Sequence, residues 1–242
     1  MVDPTTFDGF RTHVSEERYS VMEQPIVSVD TGQILHHEWL VRFEHDIELL
    51  ALLRPAEING AIRDLDLSML ARAVLALNQD DTSPGIAVNV SGASFATSKF
   101  EHSFLACIQA LKAPPEKLII ELTETWDMRD LAQAQRLLGL LRSRGHPICL
   151  DDVGAGAASI RYLRALPCDW LKIDGGFVNA AQESDREKGI LRSVLSLRDV
   201  LNVRFIAEGV ESEQTYSFVK ELGFDAAQGY AIERPALNVL AS

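Results

Sequence analysis

Seven short apolar runs in this chain end in, or carry, a polar side chain of a kind that can do chemistry. Asn89, Glu121, the pair Asp151 and Asp152, Lys172 and Glu208 each close a run; Glu38 lies inside one, and Gln228 closes the last. Strands buried on both faces read as unbroken apolar runs, so these residues need a reason. Taken singly, each has a bland one. An Asp after a strand caps a helix, a lone Lys pairs at the surface, and an Asn sits in a turn. Their recurrence at one structural position weakens those readings. Five carboxylates drawn together without cations would repel one another and suffer desolvation. A thiol-free, carboxylate-rich set suits hard cations such as Mg2+, Mn2+ or Ca2+. Adjacent Asp151 and Asp152 can each serve a different ion. Two ions about 3.5–4 Å apart activate a water and stabilise in-line attack on phosphorus. The residues therefore point to a metal-dependent phosphoryl hydrolase and name no substrate.

Such a set works only if the fold gathers it. The spacing predicts strands over Tyr19–Val27 and Gln33–Phe43, joined through Asp30-Thr31-Gly32, a turn suited to a hairpin. Six further strands begin near Ile86, Leu118, Ile148, Trp170, Arg204 and Ala226. Helices are expected over Pro55–Leu77, after Val90 up to Leu111, and near 130–143, 159–166, 183–201 and 213–222. Pro55 suits the first turn of its helix. Strands alternating with helices signal a parallel sheet. Eight strands in a chain of this length match an α/β fold of the closed (β/α)8 TIM-like type, modified by one antiparallel strand from the opening hairpin. A doubly wound open sheet is the competing architecture, without a G-x-G-x-x-G after the first strand to support it. In a barrel the C-terminal strand ends converge on the face that carries the active site. Residues 1–16 read as a lead-in and 17–242 as one barrel.

Composition bounds the alternatives. The chain has 242 residues, 35 acidic against 23 Lys and Arg, for a net charge of −12. That balance argues against binding polymeric nucleic acid. It leaves room for an anionic ligand, because bound metals reverse the local sign. At 47% hydrophobic the chain is no disordered polymer. No run of about 18 apolar residues is present, so no membrane insertion is expected. The first ten residues lack a signal-peptide core. Cys107, Cys149 and Cys168 cannot all pair within the chain, which fits a reducing, cytoplasmic location. Cys149 reads as a buried, inert thiol. Adjacent His36 and His37 would point to opposite faces of a strand and cannot chelate together.

At these residues the chain resembles the EAL-domain family of bacterial cyclic di-GMP phosphodiesterases. The likeness runs from about Glu17 to Pro235. Glu38-Trp39-Leu40-Val41-Arg42 is similar to the Glu-Ala-Leu-Leu-Arg signature, and Gln24-Pro25-Ile26-Val27 to the family's opening strand. Val88-Asn89-Val90-Ser91, Glu121-Leu122-Thr123-Glu124, Asp151-Asp152-Val153-Gly154-Ala155-Gly156, Leu171-Lys172-Ile173-Asp174, Ala207-Glu208-Gly209-Val210-Glu211 and Gln228-Gly229-Tyr230 follow in the family's order. The resemblance implies a modified barrel and hydrolysis of cyclic di-GMP to linear pGpG by water activated by two Mg2+ or Mn2+ ions. It implies that Glu38, Asn89, Glu121 and Asp151 hold one ion, and that Asp151 and Asp152 reach the second with Glu208 nearby. Lys172 and Gln228 would sit by the attacking water, and Glu208 is the candidate general base, a metal-activated hydroxide being the alternative. Arg42, Gln24 and Leu40 would contact substrate. Glu124 and, more weakly, Glu211 would steady the loop after Asp152. A homodimer is also implied.

The departures are local. Trp39 replaces the signature's Ala and should point away from Glu38, as a packing change. Val153, Ala155, Ala157 and Ala158 replace the Phe, Thr, Tyr and Ser of the family's catalytic loop. Glu23 replaces a Tyr, and the segment between Arg42 and Ala56-Glu57 is a few residues short. None removes a ligand; they bear on turnover and dimer-linked control. Three functions compete: the phosphodiesterase, a degenerate domain that binds cyclic di-GMP without cutting it, and an interaction protein that binds no nucleotide.

Overall fold

A computed structural model describes residues 5–43, 49–80, 82–123, 131–154 and 159–238. It begins with helix α1 (Phe7–Ser15), capped by the Thr6 hydroxyl, which accepts from the Gly9 N–H at 3.1 Å. Phe10 of α1 is buried, its ring 5.7 Å from that of Phe43. Strands β1 (Tyr19–Ser28) and β2 (Ile34–Phe43) form the expected antiparallel hairpin. Helices α2 (Leu49–Asn59) and α3 (Ile62–Gln79) lead to β3 (Ile86–Ser91). A 3-10 turn over Gly92–Ala96 and α4 (Ser98–Gln109) come before β4 (Leu118–Thr123). Then follow α5 (Leu131–Ser143), β5 (Ile148–Val153), α6 (Ser159–Ala165) and β6 (Trp170–Ile173). Helices α7 (Gly175–Glu183), α8 (Asp185–Leu195) and α9 (Arg198–Leu201) precede β7 (Arg204–Ala207). Finally come α10 (Glu213–Leu222), β8 (Ala226–Ala227) and β9 (Ala236–Leu237).

Strands β2 to β8 run parallel in chain order, and β1 closes the ring by pairing antiparallel with both β2 and β8. The result is a closed eight-stranded barrel wrapped by helices, with β9 added outside against Met22 and Glu23 of β1. No described helix is long and apolar enough to cross a membrane.

Several boundaries differ from the sequence expectation. The helix expected over 55–77 is two helices, and Pro55 lies inside the first. The break falls at Gly60, whose φ of +83° is a left-handed conformation that glycine adopts without a side-chain clash. The stretch expected to be helical up to Leu111 is interrupted at Thr97, which is extended and caps α4. The segment 183–201 divides where the Ser184 hydroxyl caps α8 and where α8 ends at Ser196. Strand β8 is shorter than expected: the Gln228 N–H still donates to Ala207 O at 2.8 Å, but the backbone then turns to bond with Val210. The Val210 N–H donates to Gln228 O at 3.0 Å, and the Ala231 N–H to Val210 O at 2.9 Å.

Two apolar regions hold the barrel. Outward-facing strand residues such as Val88, Ile120, Leu171 and Phe205 are buried beneath the helices. Trp39, 2% exposed, belongs to this set, in keeping with a packing change. The barrel interior holds a smaller cluster: Ile26, Ala87, Ile119, Cys149, Trp170, Ile206 and Ala226, one residue from each of seven strands. Strand β2 adds His36, buried with its ring 6.2 Å from Trp170. Burial, reinforced by the Lys172 charge, pushes the His36 imidazole down to about 4, so it is neutral packing. Cys149 is likewise sealed in this plug, and burial pushes its thiol well above the ordinary range.

Candidate metal centre and active site

Side chains on a strand repeat every two residues, so the next inward position on each strand lies directly above that plug. Two residues on from Ala87, Ile119, Cys149, Trp170, Ile206 and Ala226 stand Asn89, Glu121, Asp151, Lys172, Glu208 and Gln228. Two on from His36 stands Glu38. Strand β1 runs the other way, so its upper residue, Gln24, lies two before Ile26. All eight barrel strands thus contribute one polar residue to a single layer above an apolar floor.

Lys172, 1% exposed, is the hub of this layer. Its Nζ donates to Glu38 Oε2 at 3.0 Å and to Glu121 Oε1 at 2.5 Å. The same Nζ lies 2.8 Å from Glu208 Oε1 and 3.3 Å from Asp151 Oδ1. Asn89 Nδ2 donates to Glu38 Oε1 at 2.8 Å, and Gln228 Nε2 to Glu38 Oε2 at 2.7 Å. Gln228 Nε2 also faces Gln24 Oε1 at 3.2 Å, and Gln24 Nε2 donates to the Glu233 carbonyl at 3.0 Å. Gln24 therefore braces Gln228, and Gln228 braces Glu38.

Among the described residues, one ammonium faces four carboxylates, which leaves the layer short of positive charge. Burial works against ionised Lys172, yet the charges of Asp151, Glu121, Glu208 and Glu38 outweigh it and hold the ammonium well above its usual range. Burial also pushes Glu38 up, but Lys172 and the donors Asn89 and Gln228 prevail, keeping that carboxyl below its ordinary value. The other acids go the opposite way. Burial and the Glu38 charge raise Glu121 well above its usual range, despite Lys172. Burial lifts Asp151, and it lifts Glu208 to about 8, again with Lys172 opposing.

Asp151 and Asp152 need a local device, since neighbours on a regular strand point to opposite faces. From Leu150 to Val153, β5 takes three steps while β6 takes two, Leu171 to Ile173. The extra residue is a bulge. Asp152 occupies it with φ +56°, a left-handed conformation that Asp tolerates better than most residues. Both carboxylates consequently reach the mouth. Glu38, Glu121 and Asp151 each offer an oxygen within 4.8 Å of the others, and so do Asp151, Asp152 and Glu208.

The donor set fits divalent cations. Every group is an oxygen donor. Glu121 Oε2 is buried without a hydrogen-bond partner, an orphan that an ion would satisfy. Asp151 belongs to both trios and can bridge two ions.

Beside the layer opens a pocket walled by Leu40, Leu53, Ile62 and Met69, with Glu57 and Asp66 at its back. Leu40, expected to contact substrate, lines this cleft. Arg42 lies on the same face of β2 as Glu38 and is exposed at the strand end. Glu124 and the loop residues 155–158 lie outside the described residues. Glu211 is exposed, and among the described residues no hydrogen bond or ion pair joins it to the layer. Asp66 is a functional candidate that strand-end patterning misses, although it carries a signal: it interrupts the buried stripe Ile62, Leu65, Met69, Leu70 of α3. A charged residue on such a stripe needs a buried partner.

The model of the EAL domain matches residues 9–235. The chain belongs to the EAL-domain family. It is 34% identical over 238 residues to the bifunctional diguanylate cyclase/cyclic di-GMP phosphodiesterase MucR of Pseudomonas aeruginosa, covering 94% of this chain and 35% of that protein. It is 30% identical to the cyclic di-GMP phosphodiesterase NbdA of the same organism, covering 94% of this chain and 30% of NbdA. The chain therefore spans about a third of the length of these curated relatives. The solved structure of the PaMucR phosphodiesterase in complex with c-di-GMP superposes with a TM-score of 0.82 at 31% identity, over 95% of this chain and 96% of that one. This EAL domain shares its barrel with that complex, and its polar layer lies at the C-terminal strand ends, where such barrels carry their chemistry.

Proposed function

We propose that this EAL domain hydrolyses cyclic di-GMP to linear pGpG with two divalent cations, Mg2+ or Mn2+. The observation that carries the reading is the single buried ammonium facing four carboxylates, with a fifth, Asp152, brought in by a bulge. Family membership and the c-di-GMP complex of a similar chain support the choice of substrate.

Glu38, Asn89, Glu121 and Asp151 would hold one cation; Asp151, Asp152 and Glu208 would hold or flank the second. Bound there, the cations supply charge neutralisation at the phosphoryl oxygens and acidify a water. The water oxygen joins phosphorus, the bond to the 3′ oxygen breaks, and that oxygen takes a proton from solvent. Glu208 accepts the water proton at Oε2, the oxygen that Lys172 does not hold. Lys172 keeps Glu38, Glu121, Asp151 and Glu208 at fixed spacing. Gln228 spends its Nε2 on Glu38 and Gln24, leaving Oε1, buried without a partner, to accept from the water. Arg42 binds a phosphate and Leu40 lines the base side of the cleft. Residues 17–242 form the working unit, in the cytoplasm and as a homodimer, which light scattering of the purified chain tests.

The decisive assay incubates the chain with cyclic di-GMP and either Mg2+ or Mn2+, beside Glu38→Ala and an EDTA control, and separates products by chromatography. Linear pGpG should form only with metal and intact Glu38. An uncut dinucleotide with both metals would sink the hydrolase, and tight calorimetric binding without turnover would make the domain a receptor.

A further inference from the structure

Strand β3 is unevenly supported where it matters. On the β2 side its ladder covers only Ile86, Ala87 and Val88, paired with His37, Glu38 and Trp39. On the β4 side pairing continues through Asn89↔Glu121 to Ser91↔Thr123. Asn89, which holds Glu38 Oε1, therefore sits on a segment that has lost one neighbouring strand.

Two buried acids fill that gap through one residue. Asp66 Oδ2 accepts from the Ser91 N–H at 3.1 Å and from Ser94 Oγ at 2.5 Å. Glu57 Oε1 accepts from Ser91 Oγ at 2.7 Å, and Ser91 Oγ in turn accepts from the Ala93 N–H at 3.2 Å. Glu57 and Asp66 are 6% and 5% exposed. Ser91 is thus held by backbone from α3 and by side chain from α2. It lies two residues past Asn89, on the same face of β3.

Burying two carboxyl groups is a poor way to hold helices to a strand, since apolar residues of similar volume commonly stabilise as well or better. The arrangement is better suited to direction than to adhesion. We propose that Glu57 and Asp66 are positioning residues: through Ser91 they fix the end of β3, aim Asn89 at Glu38, and so set the affinity of the first cation site. This rests on the metal-dependent reading above. Groups that orient ligands without touching the metal are worth about 10–100-fold in affinity.

The test is Mn2+ affinity by calorimetry, with cooperative thermal unfolding as the check on folding. Ser91→Ala and Asp66→Ala should weaken Mn2+ by about tenfold or more. Asp66→Asn keeps an acceptor for the Ser91 N–H and should stay close to wild type. In the hydrolysis assay, excess Mn2+ should restore kcat of Ser91→Ala. Folded Ser91→Ala and Asp66→Ala that bind Mn2+ like wild type would overturn the proposal. Should Asp66→Ala fail to fold, Ser91→Ala decides for Glu57, and Asp66→Leu, which fills the space without an acceptor, decides for Asp66. Wild type that binds Mn2+ but leaves cyclic di-GMP uncut would end the hydrolase reading and leave the affinity comparison intact. Normal binding by the variants of a hydrolytic wild type would end the positioning role alone.

Discussion

The two ends of the barrel use the same residue types to opposite purpose. At the N-terminal end two acids, Asp169 and Asp225, each have their own guanidinium and their own backbone donor. Asp169 accepts from Arg142 Nε at 2.9 Å and from the Ile148 N–H at 3.0 Å. Asp225 repeats the device, pairing with Arg198 and accepting from the Phe205 N–H at 2.7 Å. Charges there are balanced one to one, and the result is a strand clamp. At the C-terminal end one lysine is shared among four acids, and the deficit invites cations. Stoichiometry of charge, more than residue type, separates a structural rim from a functional one.

The sharpest way to break this comparison is Lys172→Met. Without metal, removing the Lys172 ammonium from four carboxylates, two buried and two half-buried, should cost about 3–5 kcal/mol in urea unfolding. Mg2+ or Mn2+ should return more stability to the variant than to wild type, because ions take over the neutralisation. Equal responses to metal would contradict the charge deficit. Next comes Asp225→Ala at the opposite end. It should cost about 1.5–3 kcal/mol through its lost charge-assisted hydrogen bonds. Hydrolysis per folded molecule should stay at the wild-type level; a fall would mean the two ends are not independent.

Asp66 sharpens the comparison as a third kind of acid, buried against hydroxyl and amide donors. Burial, outweighing its hydrogen bonds to Ser94 and Ser91, lifts its carboxyl from the ordinary 3.8 to about 8. Between those values the folded state keeps a proton that the unfolded chain has released. Stability from this group therefore falls as pH rises through that window, by up to about 1.4 kcal/mol per pH unit. Asp66→Asn should flatten that slope in urea titrations between about pH 4 and 8. An unchanged slope would show that Asp66 is ionised throughout.

Much of this architecture is legible in the amino-acid sequence. Helix α10 carries its own punctuation, a Ser212 cap and Gly223 at φ +85°, and its bounds are those expected. The polar layer is legible because one polar residue recurs at each strand end. Helix α7 is not, since Gly175 and Gly176 read as a loop. A tertiary contact explains Gly175: a Cβ there would lie 3.0 Å from the Gly209 Cα, tighter than the close ends of β6 and β7 accommodate. Strand β9 escapes because two residues carry no period, and its existence depends on the free edge of β1 at Met22 and Glu23. Glu57 and Asp66 escape because their partner, Ser91, lies 34 and 25 residues away in sequence.

The bulge in β5 has a consequence for how such a centre arises. Its register differs from a regular ladder by a single residue. A chain lacking that residue would keep its barrel and plug and would present one carboxylate at this strand end instead of two. The step between one carboxylate and two at this strand end is thus a single residue, an insertion rather than a substitution, and the position that records it is Asp152.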